Sequence, residues 1–284
     1  MLFILGPLKV LVPSLMVMSL PYCGTGKKKE ALKSQCNCSG GTMAHTKIFA
    51  HRGFSEKYPE NTMTAFEYAA AAGADGIELD VQLTKDGVPV IIHDRHVNRV
   101  TSGKGRVNSF TVKEIQALQM KEDKNERIPT FEEYLDWSKN HSLLLNLELK
   151  TELTDRSFIK ELILPLLEKY EVEERTIISS FDHKALMVAK QQKPHIEAAA
   201  LVHQAMVKPE AYLNLLGVEG IHFESSTLLM HEAQQLQERG VAIRPYTVNT
   251  RDKMMQFFTW GCEGIFTDYP DLALELRDQR FMAT

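Results

Sequence analysis

From Lys47 onward the chain alternates short apolar runs with amphipathic segments, eight times over in about 240 residues. The runs "KIFAH", "GIELDV", "LLLNLELK", "RTIISSF", "IEAAALV", "GIHFE", "AIRPYTV" and "GIFTDY" have the length and composition of strands. Segments such as "NTMTAFEYAAAAG", "RSFIKELILPLLEKY" and "RDKMMQFFTWG" separate them and read as helices, several closing on a glycine as C-cap positions do. Eight βα units in this length predict a (β/α)₈ barrel, an α/β fold. A doubly wound sheet would place G-x-G-x-x-G after the first strand, and none is there. One connection is too long for a barrel. About forty-five residues separate "GIELDV" from the helix "TFEEYLDW", so residues 82–127 are predicted to be a small capping insertion after the second strand.

The first 42 residues differ in kind. "MLFILGPLKVLVPSLMVMSL" is apolar, but Pro7 and Pro13 interrupt it and its only charge is Lys9, which makes a weak leader or anchor. A linker-like stretch follows, whose Cys36-x-Cys38 pair lacks the second ligand pair that a zinc site needs. Residues 1–42 are therefore read as a leader or non-native extension, and 43–284 as the working domain, with Met43 as its start. Only Cys262 lies in that body, which suits a reducing, cytoplasmic compartment; export or anchoring is the alternative if the leader is genuine. A net charge of −4, from 33 basic and 37 acidic residues without a long basic block, excludes nucleic acid as a natural partner.

The stretch "GIELDVQLTKDGVPVIIHD" reads as strand, turn and strand, yet carries Glu78, Asp80 and His93 where a buried strand wants Val or Ile. A two-residue turn at Asp86-Gly87 would set Asp80 opposite His93, and period-two alternation puts Glu78 on the same face. A three-residue turn would shift that pairing by one. On a strand buried on both faces these charges would cost several kcal/mol unless a cation compensates them. "LLLNLELK" adds Glu148 and Lys150 at the end of the next barrel strand, and "AHRG" adds His51 and Arg52 at the end of the first. Strand C-termini are where barrel active sites lie. Hard oxygen ligands favour Mg²⁺ or Ca²⁺ over Zn²⁺, so one divalent cation is expected at Glu78, Asp80 and Glu148. Three carboxylates with that ion leave −1, and Arg52 and Lys150 bring the site to +1. A phosphodiester monoanion completes the count.

Six fragments in order, "FAHRG", "PENT", "GIELDVQLTKDGVPVIIHD", "LNLELK", "YTVN" and "GIFTDYPD", resemble the glycerophosphodiester phosphodiesterase family over nearly the whole body. The resemblance implies a triosephosphate-isomerase-type barrel with a capping insertion, a divalent metal on the three carboxylates, and acid–base catalysis by His51 and His93. It implies phosphate contacts by Arg52 and Lys150, and support from Glu60. Where many members read "VWTVN" this chain reads "PYTVN", so Tyr246 takes the place of a substrate-facing tryptophan.

The implied activity is metal-dependent hydrolysis of small glycerophosphodiesters to an alcohol and glycerol 3-phosphate, without stable membrane association of the barrel. Two alternatives stand beside it. A phospholipase-type enzyme for intact lipids would want an apolar rim on the insertion, and "NRVTSGKGRVNSF" offers little of one. A non-catalytic metal-bound module would not need both histidines. His183, His195, His203 and His231 are expected to be solvated, and Asn61 and Thr62 to cap the first helix. His222, Glu224 and Phe181 are candidates for either pocket wall or core.

Overall fold

The computed structural model describes residues 46–150 and 156–282. The strands are β1 (Lys47–His51), β2 (Gly76–Leu83), β3 (Pro89–Ile91), β4 (Leu144–Leu149), β5 (Thr176–Ser180), β6 (Glu197–Val202), β7 (Gly220–Glu224), β8 (Ala242–Tyr246) and β9 (Gly264–Thr267). Eight of them are parallel neighbours in the order β8-β7-β6-β5-β4-β2-β1-β9. The ring is completed between the two ends, where Val248 N–H donates to Phe266 O at 2.8 Å and Glu263 N–H to Ile243 O at 3.1 Å. Every strand expected from the alternation is present, which makes the body a nearly closed (β/α)₈ barrel.

The helices that cover it are α1 (Met63–Ala72), α3 (Phe131–Ser138), α4 (Leu164–Lys169), α5 (His183–Gln192), α6 (Pro209–Leu216), α7 (Met230–Glu238), α8 (Arg251–Trp260) and α9 (Pro270–Met282), while α2 (Val112–Gln116) belongs to the insertion. Side-chain parity along each strand divides the core in two. Ile77, Leu79 and Val81 of β2 join Leu145, Leu147 and Leu149 of β4 in the large apolar cluster shared with the helices. The residues between them point into the barrel, and there Glu78, Asp80, Asn146 and Glu148 are all buried. Among the described residues no helix is long and apolar enough to cross a membrane. The leader and the Cys36-x-Cys38 pair lie outside the described residues.

The floor of the barrel is filled by Phe49, Ile177, Ala199 and Phe266. Room for the Phe49 ring comes from glycines on the strands either side of it: a Cβ added at Gly264 would sit 2.8 Å from Phe49 Cε2 and 3.1 Å from Lys47 O. Gly264→Ala is therefore expected to lower stability by about 1–3 kcal/mol through overpacking. Urea denaturation should show the loss as a lower midpoint, and an unchanged midpoint would mean the ring has slack.

The insertion has a small core of its own, built from Val90, Ile92, Val97, Val107, Ile115, Met120 and Ile128. Its opening hairpin corrects the expected register. Val81 pairs with Ile91 and Leu83 with Pro89, so the turn holds three residues, Lys85 to Gly87, and Asp80 lies opposite Ile92 instead of His93. Thr84 causes the shift. Its hydroxyl accepts from Val88 N–H at 2.9 Å and donates to Asp86 Oδ1 at 2.6 Å, closing a wider loop in which Gly87 takes φ +78°.

Candidate active site

Register delivers the acidic cluster. In the parallel ladder His51 is level with Glu78, Glu78 with Asn146, and Asp80 with Glu148, all near the C-terminal ends of β1, β2 and β4. One oxygen from each of Glu78, Asp80 and Glu148 lies within 4.8 Å of the others. Lys150 Nζ stands 3.0 Å from Asp80 Oδ1 and also pairs with Glu148, while Arg52 Nε is 3.5 Å from Asp80 Oδ2. Two cations thus serve three carboxylates. Burial, followed by the charges of Asp80 and Glu148, pushes Glu78 well above the usual range. Burial also raises Glu148 to about 7, against the pull of Lys150. Burial opposes ionisation of Asp80 as well, but Lys150, Arg52 and His93 outweigh it and hold this carboxyl low.

Those residues fit a hard cation. Apart from the Lys150 ammonium, Asp80 Oδ1 and Glu148 Oε1 are buried oxygens without a hydrogen-bond partner, and Asn61 Oδ1 beside them has none. An all-oxygen, net-anionic donor set of this kind suits Mg²⁺ or Ca²⁺.

The chain reverses sharply after β1 to serve the cluster. Arg52 adopts φ +57°, a costly conformation for a long side chain, and its N–H donates to Glu78 Oε2 at 2.8 Å. Its Nη1 reaches Glu60 Oε1 at 2.9 Å. Asn61, also at φ +57°, donates from Nδ2 to Asp80 Oδ2 at 2.8 Å. Asn61 is thus a site residue and not the expected cap. Thr62 alone caps α1, accepting from Ala65 N–H.

Each candidate histidine has a carboxylate on Nδ1. His51 Nδ1 lies 2.6 Å from Asp268 Oδ1, and Asp268 is fixed in turn by Ser55 Oγ at 3.0 Å and Asn249 Nδ2 at 2.5 Å. His93 Nδ1 lies 2.8 Å from Asp94 Oδ1. Arg99, from the insertion, clamps Asp94 through Nε at 2.7 Å and Glu60 through both Nη atoms at 2.7 Å. His93 reaches the site in spite of the shifted register because β3 stops at Ile91. The buried Gln82 amide then donates to the carbonyls of Ile92, His93 and Asp94 at 2.8, 3.0 and 2.8 Å. Burial lowers the His93 imidazole below its ordinary range, with Asp80 opposing and Lys150 and Arg52 assisting.

A cavity of about 220 Å³ brings together His51, Arg52, Glu78, His93, Glu148 and Lys150. Tyr246 closes its far side and donates to Val202 O at 2.8 Å. Glu60 stands behind Arg52, so the sequence-predicted residues converge on one place. Several other expectations need correction. His203 is exposed but lines this cavity, stacks on Phe181 at 4.0 Å and meets the Tyr246 hydroxyl at 3.2 Å. His183 is half-buried and bonded to Tyr212 and Leu201 O, whereas His195 and His231 are exposed as expected. His222 and Phe181 are wall residues; Glu224 instead turns to Ser226.

Asp268, Asp94, Arg99, Gln82 and Asn146 went unassigned in the sequence. Asp268 stands just past the end of "GIFT", where the strand-end rule could have found it. Arg99 carried no such signal.

A parallel barrel whose strand C-termini hold a buried acidic triad, two carboxylate-backed imidazoles, an arginine and a lysine defines an enzyme, a hydrolase of phosphoric diesters. The chain belongs to the glycerophosphoryl diester phosphodiesterase family, whose family model matches residues 51–272. It is similar to a glycerophosphodiester phosphodiesterase of Bacillus altitudinis, with 39% identity over 242 residues, covering 82% of this chain and 99% of the relative. One from Caldanaerobacter subterraneus is 36% identical over 236 residues, covering 81% and 97%. Among solved structures, a phosphodiesterase of Oleispira antarctica in complex with the product sn-glycerol-3-phosphate superposes with a TM-score of 0.74 at 27% identity, over 82% of this chain and 97% of that one.

Proposed function

We propose that the protein hydrolyses small glycerophosphodiesters to glycerol 3-phosphate and an alcohol, using a divalent cation and two histidines. The observation that carries the reading is the convergence of three buried carboxylates, short of one counter-charge, with two imidazoles whose Nδ1 atoms are already held by carboxylates. Each imidazole keeps Nε2 for the reacting groups. The Oleispira relative, solved with sn-glycerol-3-phosphate, supports the product assignment.

Glu78, Asp80 and Glu148 would hold the cation, which when bound supplies Lewis-acid stabilisation of a phosphoryl oxygen. Arg52, braced by Glu60, and Lys150 bind the remaining phosphoryl charge. His51, oriented by Asp268, takes the proton of the attacking oxygen, either water itself or the substrate's 2-hydroxyl with water then opening the cyclic phosphate, and His93, oriented by Asp94, gives a proton to the departing alkoxide. Phosphate binding brings a negative charge that opposes the depressing effect of Lys150 and Arg52 on His93. Tyr246 and Phe181 bound the glycerol side. None of the large exposed apolar side chains belongs to the insertion, which favours small diesters over intact lipids.

We assign the catalytic unit to residues 43–284, since β1 begins at Lys47 and the site spans His51 to Asp268. Protein beginning at Met43 is expected to be soluble and to keep its specific activity, measured as glycerol 3-phosphate release. An insoluble or inactive product beside an active full chain would make residues 1–42 part of the working protein.

A further inference from the structure

A second pocket, of about 530 Å³, opens beside the catalytic cavity and shares His93, Glu148, Lys150 and Phe181 with it. His51 and Arg52 border the inner cavity only; Asp94, Arg95, His96 and Asp182 border the outer pocket only. His93 stands at the junction. If it protonates the departing alkoxide, the alcohol leaves through the outer pocket. We infer that this pocket is the alcohol subsite and that Arg95 selects within it for polyhydroxylated or anionic alcohols against cationic amino alcohols, an inference that rests on the diesterase reading above.

Charge pairing makes the argument. Among the described residues, each carboxylate lining the pocket is already engaged: Asp94 by Arg99 and His93, Asp182 by Arg156 at 2.6 and 2.8 Å, and Glu148 by Lys150. The Arg95 guanidinium, exposed on the insertion, has no hydrogen bond or ion pair among the described residues. An ammonium head group entering here meets acids that are taken and a guanidinium that is not. Nor do the described residues form an aromatic cage for a quaternary ammonium. Among the described residues Phe181 is the one phenyl ring in the wall, and His203 stacks on it at 4.0 Å. A polyol, by contrast, finds a guanidinium with five donors and two imidazoles within one pocket.

The test compares kcat/KM of the full chain, with its divalent cation, on glycerophosphoglycerol and glycerophosphocholine. Wild type should favour the polyol diester. Arg95→Ala should cut the ratio by roughly two- to fivefold, the worth of a solvent-exposed charge, and Arg95→Glu by about tenfold. The gain should appear mainly as better use of the choline diester and should shrink in 0.5 M salt, which a folding defect would not do. Hydrolysis of both diesters with a ratio indifferent to residue 95, or one shifted equally at all salt concentrations, overturns this inference alone. If wild type hydrolyses neither, the diesterase reading falls and takes the inference with it.

Discussion

Chelation of divalent cations is expected to lower kcat/KM on a glycerophosphodiester by at least ~10³-fold, with recovery on adding Mg²⁺ or Ca²⁺. Several kcal/mol of transition-state stabilisation are at stake, at about 1.4 kcal/mol per tenfold. Glu78→Gln, Asp80→Asn and Glu148→Gln should each produce most of that loss, because an amide keeps the shape and removes the ligand charge. Stability gives an independent readout. Glu78 and Glu148 have folded-state pKa values raised above the ordinary carboxylate value, so their ionisation opposes folding. That penalty is absent at low pH, where both are protonated in either state, and for Glu148 it grows as pH rises from about 4.5 to about 7 and levels off above that. At neutral pH the cation should therefore raise the Tm of wild type. Glu78→Gln or Glu148→Gln should be at least as stable as metal-free wild type, yet gain little from the cation. Full activity in metal-free buffer, or an undiminished cation-induced Tm rise in those variants, would remove the metal from the reading.

The second large effect separates the two histidines. An alkyl diester expels a poor leaving group, so loss of the general acid should cost roughly 10²- to 10⁴-fold, whereas a p-nitrophenyl diester expels a stabilised anion and should lose far less. His93→Ala is expected to show that split, because His93 stands between the inner cavity lined by His51 and Arg52 and the outer pocket. His51→Ala should depress both substrates alike. Asp268→Asn should follow His51→Ala in pattern, since the carboxylate on Nδ1 sets the tautomer that leaves Nε2 free to accept a proton. Equal losses on both substrates for both histidine variants would leave no division of labour between acid and base.

The family relationship was legible in six fragments taken in order, and the acidic residues at the level of single strands. Alternation along a strand is a property of local backbone geometry, so Glu78 and Asp80 in β2 had to share a face, and so did Glu148 and Lys150 at the end of β4. The (β/α)₈ count needed only the switch between period 2 and period 3.6. Where the sequence argument went beyond one strand it depended on a turn, and there it slipped. The three-residue loop at Lys85–Gly87 moved the pairing by one, and His93 arrived at the site by another route, led there by the Gln82 amide.

Everything that crosses between distant segments was settled only by closing the barrel. His51 and Asp268 are 217 positions apart, and they meet because β1 and β9 are parallel neighbours in the ring. Arg99 finds Glu60 and Asp94 because the insertion folds back over the β1–α1 loop, and Phe181, His203 and Tyr246 meet because β5 to β8 stand side by side. Side-chain direction follows from the covalent chain and its pleat, which the sequence determines by itself. Which strand ends become neighbours is a property of the closed sheet, and the carboxylate that orients His51 reaches it only once that sheet has formed, whereas His93 has its partner, Asp94, beside it in the sequence.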